Sequence, residues 1–153
     1  MKVRDVMVPK VISCTDRASL GEAVKLMWEH DIGFVPVLSA DTGALAGVIT
    51  DRDACMAAWF QGKPLWDIPV VSAMSTRVAT CRDEAEVDEA ELTMSESQVH
   101  RLPVIDAAGT LCGVVSLNDL AQRAVKDADA ELEEEVALTL GAVSHPREAP
   151  AGG

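Results

Sequence analysis

Apolar residues recur along this chain with two different periods, and the switches between them mark out the elements. Leu20, Ala23, Val24 and Met27 fall at helical spacing, which predicts an amphipathic helix with one buried face. Before it, "VISC" reads as a short extended piece, and Asp16 stands where it can cap the helix that follows. After it, "IGFVPVL" reads as a strand, "DTG" as a turn and "LAGVIT" as a second strand, with a further helix from Asp53. The same order of strand, helix, strand, strand, helix then returns: "VATC", the cap candidate Asp83, "VHRLPVI", "AAG", "LCGVVS" and a helix from Asp119.

The recurrence is a duplication. Sliding the chain by 67 residues over 7–40 gives 12 identities in 34 ungapped positions, among them Met7 with Met74, Cys14 with Cys81, Met27 with Met94, and Pro36 and Val37 with Pro103 and Val104. A one-residue deletion in the second turn changes the offset to 66, so that Gly47, Val48, Thr50 and Asp53 meet Gly113, Val114, Ser116 and Asp119. The fold class is therefore α/β (α+β), built of two repeats: residues 1–60, a linker over 61–69 ("QGKPLWDIP") and residues 70–126. Trp66 in the linker has either copy to pack on. The first helix of the second repeat is the weaker copy, with Glu91 and Thr93 where the first has Val24 and Leu26, and it is expected to be buried less deeply. Over 127–140, Ala128, Leu132 and Val136 recur every four residues on an acidic background, predicting a terminal helix that docks lightly; 141–153 has the composition of a disordered tail.

Composition narrows the function classes. A hydrophobic content of 48% is ample for a core, and a formal charge of -12 repels phosphate backbones and anionic lipid, so neither nucleic acid nor a membrane is an expected partner. The charged start "MKVRDVMVPK" and the short apolar runs predict neither a signal peptide nor a membrane span, and a cytoplasmic location is the expectation. Cys14, Cys55, Cys81 and Cys112 form no C-x-x-C pair and have no histidine at zinc spacing; they read as small buried hydrophobes, with an oxidation-sensitive approach of the equivalent Cys14 and Cys81 as the alternative. Phosphate-loop, dinucleotide, zinc-protease and nucleophile-elbow motifs do not occur, and His30, His100 and His145 lie in unrelated contexts, so the chain does not read as an enzyme.

With its doubled "hydrophobic-Pro-Val" strand ("GFVPVL", "HRLPVI") and doubled "G-hydrophobic-hydrophobic-[Ser/Thr]-x-x-Asp" signature, the chain resembles the paired CBS-domain, or Bateman, module over residues 3–126, and within it the small stand-alone bacterial members. The resemblance implies repeats packed by their sheets about a pseudo-twofold axis, clefts between them for adenosine-containing ligands such as AMP, ADP, ATP or S-adenosylmethionine, and a homodimer through helix faces. It also implies a non-catalytic sensor that needs no cofactor and signals to an unknown effector protein. The alternative is a stress-associated dimeric scaffold with empty or degenerate clefts.

Residue chemistry agrees with the nucleotide expectation. An aspartate at a helix start can accept from both ribose hydroxyls, the role expected for Asp53 and Asp119. A hydroxyl three residues earlier, at a helix N-terminus that favours anions, suits phosphate; Thr50 and Ser116 fit, with Arg52, His100 and Arg101 as basic partners. The resemblance places adenine against Ile12 and Ser13 in one repeat and Ala79 and Thr80 in the other. Plain helix capping remains the competing role for Asp53 and Asp119. Gly33 and Phe34 stand where the second repeat has His100 and Arg101, so the two sites are expected to differ.

Overall fold

The computed structural model describes residues 1–146. Each repeat forms a three-stranded sheet with two helices. The first has β1 (Cys14–Thr15), α1 (Leu20–His30), β2 (Phe34–Leu38), β3 (Leu45–Thr50) and α2 (Asp51–Gln61). The second has β4 (Cys81–Arg82), α3 (Val87–Ser97), β5 (Arg101–Ile105), β6 (Leu111–Ser116) and α4 (Leu117–Asp127), followed by α5 (Ala130–Val143). The sheet orders are β1-β2-β3 and β4-β5-β6. β1 runs parallel to β2 with Cys14 opposite Val37, β2 antiparallel to β3 with Phe34 opposite Thr50, and β4 parallel to β5 with Cys81 opposite Val104.

In the first repeat β3 ends the sheet order, and a strap that runs from the linker into the first residues assigned to the second repeat pairs with it. Val48 and Ser75 exchange both backbone bonds, at 3.0 and 2.9 Å. Upstream, Leu20 donates to the Ile68 carbonyl at 2.8 Å and Val70 to Ala18 at 2.9 Å. The second repeat is completed in the same way by the chain's N-terminal residues. Val8 and Val114 exchange bonds at 2.8 and 3.1 Å, Val87 donates to Met1 at 2.9 Å, and Val3 donates to Ala85 at 2.9 Å. Compactness therefore does not follow chain order: among the described residues one unit comprises residues 10–78 with 107–111, the other residues 1–9, 79–106 and 112–146.

Each unit has its own core. In the first, Leu20, Ala23 and Met27 of α1 meet Val35, Val37, Ile49 and the strap residues Ile68 and Val70. In the second, Val87, Ala90 and Met94 of α3 meet Leu102, Val104, Val115, Leu120 and the strap residue Val3. Trp66 settles on the first repeat, its indole ring lying over Gly21, where a Cβ would come within 2.4 Å of the ring.

Several local expectations change. The caps of α1 and α3 are Ser19 and Glu86, three residues after Asp16 and Asp83, because the chain must first leave the sheet through a turn. Ser19 accepts from the Glu22 amide at 3.2 Å, and Asp16 instead accepts from the Ala40 amide at 3.0 Å. Helix α5 is not lightly docked: Leu132, Val136, Thr139 and Val143 are all buried, while Ala128 is the left-handed residue closing α4 and Asp129 caps α5 by accepting from Leu132 at 3.1 Å. For the same reason α3 is not shallow, and Glu91 is 5% exposed. Helix α5 runs to Val143, and of the tail expected over 141–153, residues 147–153 lie outside the described residues.

The straps press closely on one glycine in each repeat. A Cβ on Gly47 would lie 2.7 Å from the Ser75 carbonyl oxygen, whereas one on Gly113 would meet the Met7 sulfur at 2.5 Å. Backbone held by paired hydrogen bonds cannot yield as a methionine side chain can. Gly47→Ala is thus expected to cost about 1–3 kcal/mol, at the upper end of overpacking effects, and Gly113→Ala distinctly less. Urea unfolding of the two variants checks the order, and equal costs would show that the strap backbone is not the rigid element.

Candidate functional site: the strand-to-helix junctions

The two signatures noted in the sequence form equivalent junctions. In the first repeat β3 ends at Thr50, whose extended backbone makes it the N-cap of α2. Its hydroxyl accepts from the Asp53 amide at 3.2 Å, and the Asp53 carboxylate accepts through Oδ2 from the Thr50 amide at 3.0 Å. In the second repeat Ser116 accepts from the Asp119 amide at 3.2 Å, and Asp119 Oδ2 accepts from the Ser116 amide at 2.9 Å and its hydroxyl at 2.5 Å. These are reciprocal capping boxes, so the helices begin at Asp51 and Leu117 rather than at the aspartates of the signatures. In each box the carboxylate uses Oδ2; Oδ1 is the atom the ribose reading needs.

The strand starts converge on the same ends of the sheets. Asp51 donates its amide to the Gly33 carbonyl at 3.2 Å, and Leu117 to the His100 carbonyl at 3.0 Å. His100 and Arg101 thereby come to the α4 junction beside Ser116, with His100 exposed and Arg101 half-buried. Because β1 is parallel to β2, the segment carrying Ile12 and Ser13 enters the sheet at the end where β2 begins and β3 stops. Ala79 and Thr80 precede β4 in the same way, and all four residues are half-buried.

Proline explains why this segment stays outside the ladder. Leu38 turns its carbonyl toward β1, accepting from Asp16 at 2.9 Å, and by the alternation of a strand Pro36 faces the same side. Pro36 has no N–H to offer, so the β1–β2 register holds only Cys14 and Thr15. The peptide groups of Ile12 and Ser13 are left to serve something other than the sheet. Ser13 also borders an open groove with Arg17, Lys25 and Trp66.

Charge separates the two junctions more than the signature aspartates suggest. The first helical residue of α2 is Asp51, whose carboxylate lies where a side chain on Gly33 would begin, 2.9 Å from a Cβ built there. Its counterpart in α4 is the buried Leu117. The first junction thus carries Asp51 and Asp53 with the exposed Arg52, and the second carries Asp119 with His100 and Arg101 nearby. Asp51 went unnoticed as a site residue in the sequence; the signal was the extra acid in "TDRD" against "SLND".

Of the four cysteines expected to be small buried hydrophobes, Cys81 is buried and Cys14 and Cys112 are half-buried, but Cys55 on α2 is exposed. Burial, with help from the Glu22 charge, pushes the Cys14 thiol up to about 11, and burial does the same to Cys81, so both are protonated at neutral pH. Among the described residues no group of three or more histidine, cysteine, aspartate or glutamate side chains is placed to hold a metal ion, and no helix is long and apolar enough to cross a membrane.

Comparison with known proteins agrees with this architecture. The CBS domain family matches residues 3–59 and 67–126. The CBS domain-containing protein YhcV of Bacillus subtilis is 34% identical over 78% of this chain and 82% of its own. Among solved structures, a CBS domain pair in complex with 5'-methylthioadenosine and S-adenosyl-L-methionine superposes with a TM-score of 0.72 at 25% identity, covering 83% of this chain and 98% of that one. Hypoxic Response Protein I, solved with two coordinated zinc ions, gives 0.69 at 29% identity over 80% of this chain and 98% of its own. Two repeats with capped strand-to-helix junctions, matched along most of the chain, define a tandem CBS-domain protein. The chain belongs to the CBS domain family.

Proposed function

We propose that this protein is a non-catalytic sensor that binds adenosine-containing small molecules at its strand-to-helix junctions, and that the two junctions prefer ligands of different charge. The observation that carries this reading is the doubled capping box with unlike surroundings. Each box holds an aspartate by one carboxylate oxygen at a helix N-terminus, next to a segment whose peptide groups lie outside the sheet ladder. A carboxylate so oriented is suited to a ribose diol, and free peptide groups to the edge of adenine. At the second junction His100 and Arg101, with the N-terminus of α4, suit the phosphate of AMP, ADP or ATP. Ser116, whose hydroxyl is given to Asp119, holds the box, and Ala79 and Thr80 border the base. At the first, Asp51 disfavours phosphate, and Thr50, Asp53, Ile12 and Ser13 with Arg52 suit an adenosine group free of negative charge, as in S-adenosylmethionine. Ligand binding shifts the protein's conformation by its differential affinity for two states, and an effector protein reads the change.

The reading extends to a homodimer. On α1 and α2, Trp28, Trp59 and Phe60 are 88%, 72% and 74% exposed, and Trp59 and Phe60 pack edge to face at 4.9 Å. Indole and phenyl surface on this scale is costly to leave in water, and a second copy of the same face covers it symmetrically. Sedimentation velocity should give a dimer that Trp59→Glu converts to monomer; a monomeric wild-type chain at tens of micromolar would contradict this part of the reading.

Calorimetric titration of nucleotide-stripped protein tests the ligand assignment. AMP or ATP is expected to bind, and Asp119→Asn, which keeps an acceptor for the Ser116 amide, is expected to weaken binding. Arg101→Ala should weaken it by about tenfold or more, the loss of one charged hydrogen bond. S-adenosylmethionine binding should respond to Asp53→Asn instead. Absence of heat with every ligand, with the variants altering only thermal stability, would favour the dimeric scaffold.

A further inference from the structure

The position in α3 equivalent to Val24 of α1 is Glu91, and the fold treats the two differently. In the first repeat Val24 borders an open groove with Met27, Trp28, Ile32 and Asp51. In the second, α5 lies across the helices, adding Leu132, Val136 and Val143 to the core that α3 and α4 share. Glu91 is a carboxylate where the repeat accepts an aliphatic side chain, and it is 5% exposed. Its side-chain partner is the buried Thr139 of α5, whose hydroxyl donates to Oε1 at 3.3 Å.

The charged groups around Glu91 are acidic. Asp88 lies on its own helix and Glu135 on α5, and Glu135 in turn feels Glu131, Asp129 and Glu134. From α4 the shared core receives Leu117, Leu120 and Ala124, while Asp119 is engaged by Ser116 and Arg123 by Asp127 and the Asp5 carbonyl. From β4 and β5 it receives Cys81, Leu102 and Val104, and the Arg82 guanidinium of β4 donates to the Asp106 carbonyl. Burial first, then the negative charge of Glu135, raises the Glu91 carboxyl to about 7, with Asp88 adding and the Thr139 hydroxyl opposing.

We propose that Glu91 is a proton-operated latch for helix α5: protonated, it holds α5 on the face of α3 and α4; ionised, it loosens α5 and frees that face. The sign follows from linkage. A carboxyl raised in the docked state binds its proton more tightly there than in the undocked state. Docking is therefore strongest below the ordinary carboxylate range, weakens as pH rises toward 7, and has lost this contribution above it. The freed surface carries Glu91 at the place where Val24 borders the first repeat's open groove, so the latch governs whether the second repeat's helix face is covered or open to partners. The inference does not depend on the ligand reading.

Hydrogen exchange of the full chain, corrected for intrinsic exchange chemistry, tests it over a pH series that includes pH 6 and pH 8. Amide protection of residues 132–143 is expected to fall about tenfold between the two in the wild type. In Glu91→Gln, whose amide still accepts from Thr139, protection should be the same at both. Glu135→Gln should keep the transition and move its midpoint to lower pH. Wild-type protection of α5 that is equal at pH 6 and pH 8, a pH dependence that survives in Glu91→Gln, or an unmoved midpoint in Glu135→Gln would each overturn the proposal.

Discussion

The pairing of β3 and β6 with a strap is the constraint on which the rest depends. A strand at the end of a sheet leaves a row of peptide groups unsatisfied, and in each repeat a piece of chain from outside the strand-helix-strand-strand-helix unit supplies the partner. The glycine in each signature exists for this approach, since Gly47 and Gly113 let Ser75, Met74 and Met7 lie against the strand. The inter-repeat segment completes the first repeat and the N-terminal residues complete the second. Neither repeat as delimited by its internal homology carries every bond its sheet requires.

With that strand held, its last residue delivers the helix. Thr50 and Ser116 end their strands in extended conformation and cap α2 and α4, so the capping boxes stand at a fixed point of each sheet. The prolines of β2 and β5 act at the neighbouring strand. In the first repeat, lack of a donor at Pro36 shortens the ladder to β1 and releases peptide groups at the same end of the sheet as the box. The features on which the proposed ligand site rests are thus by-products of sheet geometry: an anchored carboxylate, a helix N-terminus and peptide groups outside the ladder. What distinguishes the two copies is side-chain charge, with Asp51 on one side and His100 and Arg101 on the other.

Much of this was legible before any coordinates, for a specific reason. Duplication supplies an internal control, and positions such as Met7 with Met74 or Pro36 with Pro103 stand out because two copies keep them. The strands and helices followed from alternation and helical spacing, and the family likeness from the doubled signatures. Two kinds of information were hidden. Caps depend on where the chain leaves the sheet, so the sequence pointed to Asp16 and Asp83 and not to Ser19 and Glu86. Long-range cover was hidden too. Glu91 looked like a sign of a poorly buried helix because nothing in its neighbourhood reveals that α5, some 40 residues on, will bury it through Thr139. The charge of Asp51 was visible, but its meaning came only when Gly33 was found beside it.

We propose that the capped junction of the second repeat receives the phosphate-bearing adenosine ligand. Amide chemical-shift mapping by NMR during an AMP titration tests it most directly. Saturable shifts are expected, concentrated at the amides of Ala79, Thr80, Arg101 and residues 116–119, with those of residues 50–53 moving far less. Shifts confined to α5 or to the exposed aromatic face of α1 and α2, with the junction amides unmoved at saturating ligand, would contradict it.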